Sequence, residues 1–200
     1  MERIADYGSL SRIGDLLSSF KASRIFLVTG RKSYEACGAK AVMDEALADY
    51  TVERFFDFEV NPKIEDGIRG ARLAEEFDAD LILAVGGGSA MDVAKLIKAF
   101  MPDIDHAEEF VKGNKPLPIS ELPLVCVPTT AGSGSEATHF AVVYIGSDKY
   151  SLADQALLPN ANILDGELLK SASAYQRAIN GLDALAQATE GAWALKSTDA

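Results

Sequence analysis

The sequence predicts an α/β fold with a doubly wound parallel sheet. Apolar strand-like runs alternate with helical periodicities from Ile25 onward, and two of these runs, Leu81–Val85 and Leu124–Val127, end in glycine-rich turns. Near Asp165 the pattern changes and becomes purely helical. Alternation of this length is typical of a parallel sheet with helices on both faces, where ligands bind beyond the carboxyl ends of the strands. We therefore expect a Rossmann-like nucleotide-binding domain over residues 1–165 and a helical segment over residues 166–200.

The predicted elements follow from the spacing of apolar residues, which recur every second residue or without interruption in strands and every three to four in helices. The predicted strands are Ile25–Thr29, Val52–Phe58, Leu81–Val85, Leu124–Val127 and Ala161–Leu164, with a hairpin of Ala141–Ile145 and Tyr150–Leu152. The predicted helices are Ser33–Ala48, Lys63–Phe77, Ser89–Phe100 and Ser173–Lys196. Between Met101 and Pro123 neither the strand nor the helix periodicity continues, so we expect an irregular surface segment around Gly113–Pro118.

The turn Gly86-Gly87-Gly88 is the first candidate site. Glycine has no Cβ, so the backbone can come within hydrogen-bonding distance of a ligand. The unpaired N–H groups and the positive dipole end of the following helix favour an anion such as a pyrophosphate. Ser89 and Asp92 have the spacing of a capping box, which predicts that the helix begins there. The alternative is a turn that binds nothing, because the spacing G-x-G-x-x-G is absent.

The composition is that of a cytoplasmic enzyme. A chain of 200 residues with 48% hydrophobic content can bury a substantial core. The net charge of −11 argues against a nucleic-acid partner. No apolar run approaches the roughly 20 residues that span a bilayer, and the N-terminus lacks a signal-peptide pattern, so we expect no membrane partner. Cys37 and Cys126 are predicted to be buried, reduced thiols.

A second segment, Pro128–Glu136, is rich in hydroxyl-bearing residues and glycines and follows the predicted strand Leu124–Val127. Together with Gly86–Lys95 and Gly181–Leu185, it resembles the iron-containing (group III) alcohol dehydrogenase family, from about Arg24 to the end of the chain. The resemblance implies a dehydroquinate-synthase-like fold and hydride transfer between a nicotinamide cofactor and a small aldehyde or alcohol, assisted by iron or zinc. The resemblance also implies that an all-helical domain begins near Asp165, so that residues 166–200 are its first helices. Family proteins are roughly twice this length, so we expect an N-terminal half that is inactive alone. Apolar residues of the last helix lead us to expect a homodimer.

The resemblance also implies roles for individual residues. The cofactor-binding positions outside the glycine turn are Gly30, Asn61, Thr129, Thr130, Ser133 and Lys149. Lys149 is implied to approach the nicotinamide ribose and the substrate; the alternative is a surface lysine in a hairpin.

Asp183 and Gln187 correspond to metal-ligand positions and share one helix face at i and i+4. The family has His at the second position, and an amide oxygen is a weaker ligand for a transition metal. A divalent metal is therefore doubtful in this chain. The alternative is that both residues belong to a solvated face.

The choice between NADP and NAD depends on Gly30. Family members that favour NAD commonly carry Asp at this position. Gly30 has no negative charge, and Arg31, Lys32 or Ser33 would contact a 2′-phosphate. We therefore predict NADP in preference to NAD. The alternative is an ordinary basic turn before a helix.

The segment Ser135–Tyr144, with Lys149–Leu152 and Gly181–Ala188, resembles the phosphonoacetaldehyde reductase (hydroxyethylphosphonate dehydrogenase) branch. A phosphonate needs cationic or hydrogen-bond-donating side chains, and His139 and Lys149 are the candidate catalytic residues. His139 without any ligand remains an alternative. Other candidate functions are a general short-chain alcohol dehydrogenase, a lyase of the same fold, and a nucleotide-binding module without turnover.

Overall fold

A six-stranded, all-parallel sheet organises the chain in the computed structural model, which describes residues 1–194. Its strands lie in the order β1-β8-β5-β4-β2-β3, and β6 and β7 form a separate antiparallel ribbon. The strands are β1 (Glu2–Ala5), β2 (Arg24–Thr29), β3 (Thr51–Phe55), β4 (Leu81–Gly86), β5 (Leu124–Pro128), β6 (Phe140–Ile145), β7 (Asp148–Ala153) and β8 (Ala161–Leu164). The predicted strands and the hairpin are thereby confirmed, except that β3 ends at Phe55, three residues before the predicted end at Phe58.

Helices cover both faces of the sheet. They are α1 (Ile13–Ser19), α2 (Ser33–Ala36), α3 (Ala39–Ala46), α4 (Ile64–Glu76), α5 (Gly88–Phe100), α6 (Ala107–Val111) and α7 (Ala174–Trp193). Alternate residues of the central strands point to opposite faces: Leu27 and Leu83 pack with α1–α3, whereas Val28 and Ala84 pack with α5. The predicted doubly wound α/β fold is confirmed.

The strand order reverses between β2 and β4. From β2 the chain moves outward to the edge strand β3, and it then returns to the other side of β2 as β4. The connections after β2 and β4 therefore leave towards opposite faces and open a crevice at the carboxyl ends of these strands. The backbone is close-packed there, because Gly30 N–H donates to Val85 O at 3.4 Å and Thr129 N–H donates to Gly86 O at 2.8 Å.

Two element predictions need correction. The single helix predicted over Ser33–Ala48 is divided into α2 and α3, because Gly38 takes the left-handed conformation with φ 83°. The region Met101–Pro123 is not wholly irregular, because α6 lies within it and buries Phe110 and Val111.

The structure also differs from the prediction at the two ends of the chain. The strand β1 and the helix α1 precede the first predicted element; β1 is short and buries only Ile4. At the other end, the predicted helix extends to Lys196, which lies outside the described residues, and α7 ends at Trp193.

Both cysteines are free, and Cys126 is fully buried in β5. Burial raises the pKa of the Cys126 thiol to about 12, so it stays protonated at neutral pH. Cys37 is only half-buried, which corrects the expectation that both thiols are enclosed. Across the described helices, none is both long enough and apolar enough to cross a membrane.

Candidate functional site

Two cavities meet at the N-terminus of α5, and both contain Gly88 and Ser89. The first, here the switch-point cavity, has a volume of about 600 Å³ and lies at the carboxyl ends of β2 and β4. It is lined by Gly30, Arg31, Ser33, Phe56, Phe58, Glu59, Val60, Gly87, Ala90, Thr129, Thr130 and Gln176 besides the shared pair. The second, here the hairpin cavity, has a volume of about 530 Å³ and lies between α5, the β6–β7 ribbon and α7.

The N-terminus of α5 is built from backbone rather than from a side-chain cap. The helix begins at Gly88, and Gly87 precedes it in an extended conformation with no side-chain cap hydrogen bond. The predicted capping box of Ser89 and Asp92 is therefore wrong: Ser89 lies inside the first turn, and Asp92 faces the hairpin cavity. The N–H groups of Gly88 and Ser89 thus have no side-chain acceptor from a cap, and both residues line the cavities.

The second glycine-rich segment lies directly against this helix end. A Cβ atom added at Gly87 would lie 3.1 Å from Thr130 Oγ1, and one added at Gly88 would lie 3.2 Å from Ser133 Oγ. Backbone N–H groups and hydroxyls therefore line one narrow passage between the two cavities. This is the donor set that an extended anion such as a pyrophosphate requires.

Thr129 offers a further donor. Its side chain is 4% exposed and lines the switch-point cavity, yet Thr129 Oγ1 has no hydrogen-bond partner among residues 1–194. A buried hydroxyl without a partner is costly unless a ligand or water completes it. The glycine cradle and this unpartnered hydroxyl are chemically suited to a dinucleotide phosphate.

Two buried charged groups fix one wall of the hairpin cavity. Lys95 is fully buried, and its Nζ donates to Thr138 O at 2.7 Å, to Thr138 Oγ1 at 3.1 Å and to Phe140 O at 2.7 Å. Ser135 Oγ donates to Asp92 Oδ1 at 3.2 Å. Burial raises the pKa of Asp92 and lowers the pKa of Lys95, while their mutual attraction opposes both shifts. The pair fastens the segment from Ser135 to Phe140 onto α5.

The β6–β7 ribbon supplies the opposite wall. Phe140, Val142 and Tyr144 line the hairpin cavity because side chains alternate along β6, and Lys149 lies opposite Tyr144 on β7. His139 is not among the lining residues of either cavity; its ring lies 4.1 Å from that of Phe140, between centroids. The structure therefore brings Lys149 to the site but not His139.

The last helix closes the hairpin cavity. Gly132 has φ 116°, and a Cβ atom there would lie 2.8 Å from Asn180 O and 3.0 Å from Asp183 Oδ2. Only glycine lets the loop after β5 approach α7 this closely. Asp183 and Gln187 both line the cavity, as their shared helix face predicts.

The side chains that line this cavity do not by themselves form a ligand set for a metal ion. Among residues 1–194, no group of three or more His, Cys, Asp or Glu side chains is arranged to hold an ion. Asp183 and Gln187 supply two oxygens from one helix, whereas tight zinc or iron sites take three or four protein ligands.

The other predicted residues divide between the cavities. Gly30 and Thr129 line the switch-point cavity, and Asn61 lines the hairpin cavity, where its N–H donates to Ser89 Oγ at 3.5 Å. Gly86 lines neither cavity; it shapes the turn through its carbonyl, which accepts from Thr129.

Several lining residues were not found from the sequence. They are Phe56, Phe58, Tyr144, Ser135 and Gln176. Ser135 lies within the Pro128–Glu136 segment, whereas the aromatic residues belong to an ordinary strand pattern and carry no separate signal.

The sequence profile of the iron-containing alcohol dehydrogenase family matches residues 3–166. The chain belongs to this family. It is 36% identical over 183 residues to aldehyde-alcohol dehydrogenase 2 of Entamoeba histolytica, covering 84% of this chain and 21% of that protein. It is 31% identical over 194 residues to the NADPH-dependent butanol dehydrogenase of Clostridium saccharobutylicum, covering 92% and 48%.

A crystal structure of sulfoacetaldehyde reductase from Bifidobacterium kashiwanohense, in complex with NAD⁺, superimposes with a TM-score of 0.89 at 28% identity. The match covers 96% of this chain and 52% of that one. The chain thus spans about a fifth of the Entamoeba relative and about half of the other two.

The glycine cradle is tested by Gly88→Val. Its Cβ would enter the passage 3.2 Å from the rotatable Ser133 hydroxyl, so the domain is expected to fold. A lost hydrogen bond to a charged group costs about 1.5–3 kcal/mol, so NADPH affinity should fall by roughly tenfold or more. Fluorescence titration of NADPH measures this. Gly14→Val, at a helical glycine with open space around it, is the matched control and should bind normally. Unchanged affinity in folded Gly88→Val would refute the cradle.

The metal content follows from the two-oxygen donor set. Purified without added metal, the chain should carry well under one equivalent of iron or zinc, and it should reduce no aldehyde at a useful rate. Elemental analysis measures the metal, with Asp183→Asn as the comparison. Stoichiometric metal that this substitution removes would show that a partner chain completes the ligand set; stoichiometric metal that persists would place the ligands elsewhere.

Proposed function

We propose that this chain binds a nicotinamide dinucleotide across the switch point, as the cofactor-binding half of an oxidoreductase that acts on a small aldehyde or alcohol. One observation carries the proposal: the N-terminus of α5, without a side-chain cap, faces the hydroxyls of Thr130 and Ser133 where the two cavities join. Membership of the iron-containing alcohol dehydrogenase family supports the reaction class. The NAD⁺ complex of the related sulfoacetaldehyde reductase supports the cofactor class.

The proposed binding mode uses each cavity for one half of the cofactor. The N–H groups at Gly88 and Ser89 receive the pyrophosphate charge, with the buried, unpartnered hydroxyl of Thr129 beside them. Phe56 and Phe58 give the switch-point cavity the apolar walls that an adenine base needs. The nicotinamide then enters the hairpin cavity, where it supplies or accepts the hydride.

Lys149 is the candidate contact for the nicotinamide ribose and the substrate. It lines the hairpin cavity, close enough for its charge to lower the pKa of Asp92 against the effect of burial. Asp92, in turn, holds Ser135 in place on the opposite wall. These residues orient the reacting groups and exclude water, which is the protein's part in cofactor-dependent chemistry.

The substrate is proposed to be an aldehyde that carries an anionic group, with phosphonoacetaldehyde as the candidate. The ammonium group of Lys149 in the hairpin cavity supports this choice. The related sulfoacetaldehyde reductase supports it too, because a sulfonate resembles a phosphonate in charge and shape. A short-chain alcohol is the second candidate, favoured by the relative named as a butanol dehydrogenase and by the apolar Val142 beside Lys149.

We also propose that a helical domain begins at residue 166 and that the nucleotide-binding domain is residues 1–165. The helix α7 buries none of its residues, whereas β8, which ends at Leu164, lies inside the sheet. Large apolar side chains of α7 are exposed, among them Tyr175, Leu182, Leu185 and Trp193. Such a surface is typical of a helix that packs against a further element. Homodimerisation and cytoplasmic location remain predictions.

The cofactor is proposed to be NADP in preference to NAD. Gly30 lines the switch-point cavity without a side chain, beside Arg31 and Ser33. No carboxylate therefore projects from this position towards the ribose. The related NADPH-dependent butanol dehydrogenase supports this preference.

Gly30→Asp tests the preference. Repulsion between unit charges about 4 Å apart is roughly 4 kcal/mol at an effective dielectric near 20, an upper figure that salt reduces. The ratio of NADPH to NADH dissociation constants should therefore rise about tenfold or more. Gly30→Asn is the matched neutral control, because both side chains must displace Ser33 Oγ, which lies 2.1 Å from the added Cβ. An equal ratio in the two variants would mean that the adenosine ribose binds elsewhere.

A further inference from the structure

Arg54 lies beneath the turn that carries Gly30. It is half-buried on β3, opposite Leu27 of β2, and its side chain runs towards the carboxyl end of that neighbouring strand. Its Nε donates to Thr29 Oγ1 at 2.8 Å and its Nη2 donates to Gly30 O at 3.5 Å. The guanidinium also stacks on two rings, with its Cζ 4.7 Å from the centroid of Tyr34 and 4.8 Å from that of Phe56. Arg54 is therefore held at one orientation.

The partners that hold Arg54 are neutral. Within residues 1–194 it has no carboxylate in salt-bridge contact. It lines a separate cavity of about 480 Å³ beside Tyr34 and Asp44, where the Asp44 carboxylate pairs with Lys40. The other charged groups at this end of the switch-point cavity are paired. Arg31 forms a salt bridge with Asp57, and Glu59 accepts from Lys63 at 3.1 Å.

A guanidinium without a salt-bridge partner beneath the Gly30 turn favours an anion on the other side of that turn. Gly30 and Phe56, which both contact Arg54, line the switch-point cavity. In the proposed binding mode, the ribose of the adenosine lies towards this end of the cavity, with its 2′ position facing the Gly30 turn. Planar guanidinium groups are well suited to bind phosphate, and stacking on aromatic rings preorganises them.

We propose that Arg54 is a specificity-determining residue that favours a 2′-phosphate on the adenosine ribose, through its charge beneath the Gly30 turn. The inference rests on the proposed dinucleotide site. It assigns the preference to a residue of the adjacent edge strand rather than to the turn alone. Gly30 contributes no side chain to this end of the cavity.

The test compares two ligands that differ only in the 2′-phosphate: adenosine 2′,5′-bisphosphate and AMP. Calorimetric titration of the whole chain measures both affinities. Arg54→Gln should weaken binding of the bisphosphate by roughly tenfold or more and change AMP binding by less than about twofold, since the attraction between the guanidinium charge and the 2′-phosphate is lost for only one ligand. Arg54→Lys keeps the charge without the planar fork and should fall between wild type and Arg54→Gln for the bisphosphate. If Arg54→Gln does not fold, the lysine variant alone decides.

Arg72→Gln is the matched control for the loss of one positive charge. Arg72 is an exposed residue of α4 that pairs with Asp105 and lines neither cavity, so both affinities should stay unchanged. Equal weakening of both ligands by Arg54→Gln, or no change for the bisphosphate, would overturn the role of Arg54 while the nucleotide site stands. Failure of the folded wild-type chain to bind either ligand would overturn the proposed function, and the inference with it.

Discussion

The candidate site depends on the close approach of three backbone turns at the carboxyl edge of the sheet. Gly30 N–H bonds to Val85 O, and Thr129 N–H bonds to Gly86 O, so the turns after β2, β4 and β5 are tied to one another. A Cβ atom at Gly86 would lie 2.7 Å from the Cβ of Ala90 and 3.2 Å from Gly30 N, so this approach needs glycine. This contact fixes the turn from which α5 begins and the start of the facing segment, which carries Thr129 and Thr130.

Around this rigid turn, buried polar groups hold the segments that have no regular structure. Lys95 satisfies two carbonyls and one hydroxyl of the segment before β6, which replaces the hydrogen bonds that a strand or helix would provide. Removing water from the ammonium group is costly, and burial accordingly lowers its pKa. That cost is offset only because all three acceptors converge on one atom. The wall of the hairpin cavity is thus fixed by α5, the same helix whose N-terminus faces the passage.

Much of the fold was predictable from the sequence, because buried parallel strands such as Leu81–Val85 have an unbroken apolar pattern and end at glycines. The capping box was wrong because Ser89 and Asp92 have the right spacing, yet the backbone of Gly87 already precedes the helix in an extended conformation. Arg54 was missed for a different reason. Its function depends on the neighbouring strand, and contacts between residues distant in sequence leave no local pattern.

The central claim is that the first turn of α5 receives the pyrophosphate. The most direct measurement is a titration of the isotopically labelled chain with ADP-ribose, followed by the NMR shifts of the backbone amides. The account predicts the largest shifts at Gly87, Gly88 and Ser89, with smaller shifts at Thr129 and Thr130 on the facing segment. Shifts confined instead to Gly134, Gly166 and Leu169, which line a separate cavity of about 300 Å³ beside β8, would contradict it.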